Sequence, residues 1–159
     1  MDLFVIRHAL AEERRPGLSD AERVLTVRGR RRQTLATTGL QRLGLSFDSL
    51  RHSPLARAVQ TAELLVPLLQ GPCRATEALA RPPGPELLEE LEGERAALVG
   101  HEPWMGELVA WLLLGTPDAG GAFRLGKGGL AWLEGEPRPG GMRLRALFTP
   151  RALRCMACG

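Results

Sequence analysis

Two adjacent basic residues, Arg7 and His8, directly follow a short apolar run at residues 3–6. Histidine can act as a nucleophile or as an acid–base group near neutral pH. Arginine can bind two oxygens of an anion such as phosphate at once. A second Arg-His pair, Arg51 and His52, follows another apolar stretch. The sequence therefore offers two candidate positions for histidine chemistry on an anion.

Arg57 and His101 are further candidates. Arg57 lies about one turn into a predicted helix, near the positive end of the helix dipole, where a cation is disfavoured by about 0.3–1 kcal/mol. A bound anion would remove that conflict. His101 follows an apolar run at residues 96–99. Because ligands of parallel sheets bind beyond the carboxyl ends of the strands, we expect Arg7, His8, Arg57 and His101 to converge there.

The elements that must position these residues alternate along the chain. Short apolar runs predict strands at residues 3–6, 47–50, 96–99, 130–133 and 142–148. Capping and periodicity predict helices from Thr26 to about residue 43, from Ser53 and Pro54 to Gly71, over residues 86–91, and from Pro103 to about Gly115. Residues 72–79 carry only a weak pattern. This alternation predicts an α/β fold with a mostly parallel sheet and helices on both faces, a three-layer α/β/α sandwich.

Length and composition narrow the class of protein. With 159 residues, the chain is expected to form one domain over residues 1–159. A net charge of +3 without a basic stripe argues against a nucleic-acid partner. No apolar run is long enough to span a membrane and no signal peptide is evident, so neither a membrane nor secretion is expected. Three cysteines do not suggest a disulfide framework, which favours the cytoplasm.

Several segments together resemble the histidine phosphatase superfamily. "LFVIRHALA" resembles its RHG/RHA signature, "SPLARAVQTAELL" is similar to S-P-x-x-R-A-x-Q-T-A, and "ALVGHEPWMGELV" is similar to its V-G-H-x-P segment. "SDAERVLTVRGRRRQ" is similar to the R-x-L-T-x-x-G-R element of the short SixA-type phosphohistidine phosphatases, and "FRLGKGGLAWLE" resembles a late strand of that group. The resemblance implies a phosphoglycerate-mutase-like fold.

The resemblance also implies roles for individual residues. His8 matches the nucleophile that forms a phosphohistidine intermediate, and Arg7, Arg57 and His101 match the phosphate pocket. Arg23 matches an additional pocket arginine of the short group. Ala9 stands where the wider superfamily has glycine, as it does in many short members. Neither a metal nor another cofactor is implied.

The general acid of larger superfamily members has no clear counterpart. Glu77 lies in the corresponding region but in a poor register, and Glu102 is nearer to the candidate site in sequence. Both glutamates remain candidates for the general acid. Because an imidazole leaves more easily than an alkoxide, a missing acid favours phosphohistidine as the substrate.

Other motifs have simpler explanations. Arg51 and His52 match no family role and are expected to be structural or on the surface. "GAFRLGKG" approaches a P-loop, but Gly128 stands where a hydroxyl is needed. "CMAC" places Cys155 and Cys158 at metal-ligand spacing without a second pair, which suggests a frayed terminus, and Cys73 is expected to be buried.

The sequence therefore favours a phosphatase with a histidine nucleophile that acts on a phosphohistidine-containing protein. One alternative is a phosphatase of a small phosphate ester such as a sugar phosphate or nucleotide. Another is a module that binds anions without catalysis.

Overall fold

The computed structural model describes residues 1–157. Within them, six strands form one sheet in the order β3-β2-β4-β1-β5-β6. The strands are β1 (Asp2–Arg7), β2 (Ser49–His52), β3 (Cys73–Ala75), β4 (Arg95–Gly100), β5 (Leu130–Gly135) and β6 (Met142–Phe148). β1 to β4 are mutually parallel, whereas β5 and β6 are antiparallel to their neighbours. The parallel part brings the carboxyl ends of β1, β2 and β4 to one edge.

A helix follows each of the six strands except β5. The helices are α1 (Val27–Arg42), α2 (Ala56–Leu65), α3 (Pro85–Glu89), α4 (Trp104–Leu114) and α5 (Pro150–Met156). Short 3-10 turns cover Asp20–Glu22, Val66–Leu68, Glu77–Leu79 and Pro117–Phe123. The Thr26 side chain accepts from the Gly29 amide and caps α1, as predicted. Among residues 1–157, no helix combines the length and apolar character that crossing a bilayer requires.

Two apolar cores lie on opposite faces of the sheet. Alternation along β1 sends Leu3 and Val5 to one face and Phe4 and Ile6 to the other. The first face packs against α3 and α4, and the second against α1, α2 and α5. This arrangement of helix, sheet and helix confirms the predicted three-layer α/β fold.

Two predicted boundaries around β2 are wrong. β2 covers residues 49–52 instead of 47–50, so Arg51 and His52 lie within the strand. Ser53 does not cap α2, because its amide donates to the Val99 carbonyl and continues the pairing with β4. The cap position is Leu55.

The end of α2 and two further elements also differ from prediction. α2 stops at Leu65, because Pro67 lacks the amide that would continue the helix and lies in a 3-10 turn. β3 was missed because its three residues are exposed and form no apolar run. Cys73 begins this exposed strand and is itself exposed, so the prediction that it is buried is wrong. α5 was also missed, although Thr149 caps it with a proline at the first turn.

Candidate active site

The parallel register of β1 and β4 places two histidines side by side. Arg7 is aligned with Gly100, and the His8 amide donates to the Gly100 carbonyl at 3.0 Å. His101, the next residue, therefore lies beside His8, with 5.1 Å between the ring centroids. Both rings are at least 95% buried, since His8 is 5% and His101 4% exposed. The sheet thus joins two residues that are far apart in the chain.

His8 is held in one tautomer. Its Nδ1 lies 2.8 Å from the Ala9 carbonyl, which can only accept, so Nδ1 carries the proton and Nε2 is unprotonated in the neutral ring. Burial lowers the pKa of His8 to about 3, and the nearby charges of Arg57 and Arg7 act in the same direction. At neutral pH the side chain is a neutral imidazole with a free Nε2 lone pair, as a nucleophile requires.

His101 is oriented by a serine from the neighbouring strand end. Its Nε2 lies 2.7 Å from the Ser53 hydroxyl, which also accepts from the Leu55 amide at 3.3 Å. Burial lowers the pKa of His101 to about 4. Because the Ser53 hydroxyl already accepts from the Leu55 amide, it has its own proton to donate to Nε2; in that tautomer, Nδ1 of His101 carries the ring proton and acts as a donor.

Arg57 and Arg23 meet at one carboxylate, that of Asp20. The guanidinium of Arg57 donates to the Asp20 carbonyl at 2.6 Å and to its Oδ2 at 2.9 Å. Arg23 donates to Oδ1 of Asp20 at 2.8 Å and to the Glu12 carbonyl at 2.8 Å. Burial opposes ionisation of Asp20, but hydrogen bonds from Arg23 and Arg57 outweigh it and hold its pKa well below the usual range. Asp20 therefore holds both guanidinium groups in place through charge-assisted hydrogen bonds.

Arg7 leaves β1 towards the segment before β5. Its Nη1 donates to the Leu125 carbonyl at 2.8 Å. Glu102 accepts from the Leu125 amide at 2.8 Å, and burial raises the pKa of its carboxyl. A cavity of about 610 Å³ adjoins these side chains, and its wall also includes Glu107, Asp118 and Arg124.

Three donors at this site have no partner within residues 1–157. Five buried side-chain polar atoms in that part of the chain lack a hydrogen bond, and three of them are Nε of Arg7, Nε of Arg57 and Nδ1 of His101. Buried donors are nearly always paired in folded proteins. All three side chains act electrostatically on His8, so these unpaired donors suit an anion with several oxygens at this site.

The two candidate acids differ in their surroundings. Glu102 lies beside Arg7, but its carboxylate accepts from backbone amides of Leu125 and Gly106. Glu77 begins the 3-10 turn after β3 and is exposed, with no side-chain hydrogen bond among the described residues. Within residues 1–157, Glu77 forms no hydrogen bond or ion pair with another candidate residue.

Three residues that hold the site were not singled out from the sequence. Ser53 orients His101, Asp20 holds two arginines, and Thr61 accepts from the Ala9 amide at 3.0 Å while donating to the Arg57 carbonyl at 2.6 Å. Ser53 and Thr61 are letters of the S-P-x-x-R-A-x-Q-T-A motif, so the motif carried a signal for both.

The other motifs do not join the site. Arg51 pairs with Glu92 at 2.9 Å and donates to the Glu90 carbonyl, and His52 lies against the Ser53 carbonyl; both are buried and structural. The segment around Gly128 leads into β5 and not into a helix. Cys155 is an exposed residue of α5, so the expected frayed end does not apply to it, and Cys158 lies outside the described residues. Within residues 1–157, no cluster of metal-ligating side chains is present.

Comparison with known proteins identifies a family and similar folds. A family model described as the histidine phosphatase superfamily (branch 1) matches residues 3–81. An uncharacterized protein of Picosynechococcus sp. is 34% identical, with 92% of this chain and 90% of that protein covered. The protein histidine phosphatase SixA, solved with tungstate, shares the fold at a TM-score of 0.76 and 25% identity, over 96% of this chain and 99% of that chain. The α-ribazole phosphatase of Shigella flexneri is similar at a TM-score of 0.72 and 21% identity, over 94% and 97% of the two chains.

Proposed function

The chain belongs to the histidine phosphatase superfamily, and on that premise we propose that it hydrolyses protein phosphohistidine through a covalent intermediate on His8. The observation that carries the proposal is the group of unpaired donors, Nε of Arg7, Nε of Arg57 and Nδ1 of His101, beside a histidine whose Nε2 is free. These donors match the oxygens of a phosphoryl group.

The proposed reaction has two displacements at phosphorus. In the first, the lone pair of His8 Nε2 forms a nitrogen–phosphorus bond while the bond to the leaving imidazole breaks, and that imidazole leaves as a neutral base after taking a proton from solvent. In the second, a water oxygen attacks phosphorus, the bond to His8 breaks, and inorganic phosphate leaves with neutral His8. Arg7, Arg57 and His101 bind the phosphoryl oxygens in both steps, where positioning and charge supply most of the acceleration.

Two observations support phosphohistidine as the substrate. An alkoxide needs a placed acid that is commonly worth about 10²–10⁴-fold in rate, whereas a protonated imidazole leaves as a neutral base. Glu102 is occupied by backbone amides and Glu77 is exposed, so neither is held as a free acid at His8. The likeness to SixA, described as a protein histidine phosphatase, points the same way.

A small phosphate ester is the second candidate substrate. The cavity of about 610 Å³ beside Arg7 is large enough for the organic part of such an ester, and its wall holds both acidic and basic groups. The likeness to an α-ribazole phosphatase is consistent with this alternative. The raised pKa of Glu102 would suit an acid for an alkoxide leaving group.

Steady-state kinetics separate these candidates. We expect kcat/KM to be highest for a phosphohistidine protein, intermediate for p-nitrophenyl phosphate and lowest for an alkyl phosphate such as glycerol phosphate. Replacement of Glu102 by Gln should change phosphohistidine turnover little. The enzyme could instead prefer a sugar phosphate or nucleotide, and Glu102→Gln or Glu77→Gln could abolish turnover of it. That result would establish a small phosphate ester as the substrate and the replaced residue as the general acid.

Two controls address the other readings. Turnover should persist in EDTA and be blocked by vanadate, because cationic side chains are proposed to bind the phosphoryl group without a metal. Strict dependence on added Mg²⁺ would contradict this mechanism. Tight phosphate binding without turnover of any of the three substrate types would identify a non-catalytic anion-binding module.

A further inference from the structure

A second cavity, of about 380 Å³, lies between α1, α5 and the segment that precedes β5. Four cationic side chains contribute to its wall, namely Arg32, Lys127, Arg151 and Arg154. No carboxylate lines the cavity, and none of the four cations forms an ion pair within the described part of the chain. The wall therefore carries positive charge that no acidic neighbour compensates, which favours an anion.

Two of these cations, Arg32 and Arg154, are close enough to act on one another. Burial lowers the pKa of Arg32, and the charges of Arg28 and Arg154 lower it further. Arg154 uses one nitrogen, Nη1, to donate to the Pro150 carbonyl at 2.8 Å, which holds its guanidinium beside the cavity. A bound anion would relieve this repulsion between like charges.

Gln33 gives independent evidence of a built site. It lines the cavity and is only 2% exposed, yet its side-chain oxygen Oε1 is buried without a hydrogen-bond partner among residues 1–157. Its Oε1 lies beside Gly128, where a Cβ would come within 3.0 Å. A buried acceptor without a partner is unfavourable, and a ligand that carries an O–H group could donate to it.

We propose that this cavity binds a small phosphate-bearing anion at a site separate from His8. Phosphate offers several acceptor oxygens to the arginines and Lys127, and at neutral pH it also carries an O–H group. Oε1 of Gln33 can accept from the O–H group of such a ligand. This proposal does not depend on the proposed function, since it uses none of the side chains assigned to the phosphoryl group.

The cavity lies directly behind the backbone that carries the nucleophile. Ala9 and Leu10, which follow His8, line it. The Gly128 amide donates to the carbonyls of Arg7 and His8, each at 3.1 Å. An anion held between α1 and α5 would therefore lie beside the segment that supports His8.

Binding is best measured by NMR in an Arg57→Ala background, because this substitution weakens anion binding at His8. The probes are inorganic phosphate and glycerol phosphate, added to the full chain while backbone amide shifts are followed. We expect saturable shifts at Gly29, Ala36 and Gly128. The double substitution Arg32→Ala/Arg154→Ala should weaken the dissociation constant at least about tenfold, since it removes two charge-assisted contacts.

Matched variants distinguish a built site from a diffuse basic surface. Arg31 is exposed on the same helix, does not line the cavity and forms no ion pair among the described residues, so Arg31→Ala should leave binding unchanged. Gln33→Leu should weaken binding several-fold without changing the charge. Stronger binding of inorganic phosphate would assign the site to the free ion, and stronger binding of glycerol phosphate would assign it to an ester.

Three results would overturn the proposal. The first is the absence of saturable shifts at these amides. The second is equal binding by the Arg31→Ala and Arg32→Ala/Arg154→Ala proteins. The third is no effect of Gln33→Leu in a protein that thermal unfolding shows to be folded, because binding would then depend on general surface charge alone.

Discussion

Arg7 and Glu102 bind the same residue, Leu125, at its two backbone polar groups. The guanidinium of Arg7 donates to the Leu125 carbonyl at 2.8 Å, and Oε1 of Glu102 accepts from the Leu125 amide at 2.8 Å. Arg7 ends β1, whereas Glu102 follows β4. Leu125 is 2% exposed and anchored in the core. The segment before β5 thus fixes the direction of the arginine that we assign to the phosphoryl group.

Glu102 is accordingly expected to be a positioning residue. Replacement by Ala should lower kcat for phosphohistidine by roughly tenfold, since the loss of one buried hydrogen bond to a charged group is commonly worth about 1.5–3 kcal/mol and only part of it reaches Arg7. Glu102→Gln keeps an acceptor oxygen and should restore most of the activity. If the Gln variant is as inactive as the Ala variant, the carboxyl itself takes part in the reaction.

A covalent phosphohistidine is expected on His8. Rapid mixing with labelled phosphoprotein should leave label on the chain that is acid-labile and base-stable, because the nitrogen–phosphorus bond hydrolyses in acid. His8→Ala should abolish both the label and turnover. Wild-type turnover by the His8→Ala protein would show that another group attacks phosphorus.

Arg57 should matter far more than an arginine outside the site. Its Nε is a buried donor without a partner, so Arg57→Ala should cost about 2–4 kcal/mol of transition-state stabilisation, as for the loss of an oxyanion-hole donor. Arg31→Ala is a cleaner control than Arg51→Ala, since Arg51 pairs with Glu92 and its loss would also affect stability. Comparable values of kcat/KM for the Arg57 and Arg31 variants would contradict the assigned geometry.

Thr61 should stabilise the turn after the nucleophile. Its hydroxyl accepts from the Ala9 amide and donates to the Arg57 carbonyl, and its side chain is fully buried. Thr61→Val keeps the shape of the side chain but leaves the Ala9 amide without a hydrogen-bond partner. The free energy of unfolding should therefore decrease by about 1–3 kcal/mol. Urea denaturation should show this loss, and Thr61→Ser should recover most of it.

Stability should fall as the pH drops below neutrality, because two histidines are buried in the neutral form. The pKa of His8 is lowered from 6.5 to about 3 and that of His101 to about 4. Between pH 6.5 and 4 the unfolded chain binds protons at these positions and the folded chain does not. The free energy of unfolding should therefore decrease by roughly 1.4 kcal/mol per pH unit for each histidine.

His8→Asn provides the control for this pH dependence. In this variant, denaturant unfolding across the same pH range should show a weaker dependence of the free energy of unfolding on pH, because only one of these two buried histidines still contributes. An unchanged slope would mean that His8 is not held neutral in the folded protein.

Much of the fold followed from patterns that act locally. The apolar runs of β1 and β4 predicted strands buried on both faces, and Thr26 predicted the start of α1. Positions that local patterns describe poorly were misplaced or missed. The exposed edge strand β3 has no apolar run, and the Ser53-Pro54 dipeptide resembles a helix start although Ser53 continues the pairing with β4.

The sequence by itself determined which residue types stand at the strand ends. Arg7 ends a buried strand, His8 and His101 directly follow buried strands, and parallel strands must bring such ends together. That inference needs only the order of elements. It requires no knowledge of how the loops run, which is why the core of the candidate site could be predicted.

Only the tertiary structure decided how those side chains are held. Asp20 reaches Arg57, Ser53 reaches His101, and Arg7 and Glu102 both reach Leu125. Each contact joins segments that are distant in the chain, so it depends on strand register and loop path and not on local pattern. A hydrogen bond forms only within a few tenths of an ångström and a narrow angle, and the packed fold alone sets positions to that accuracy.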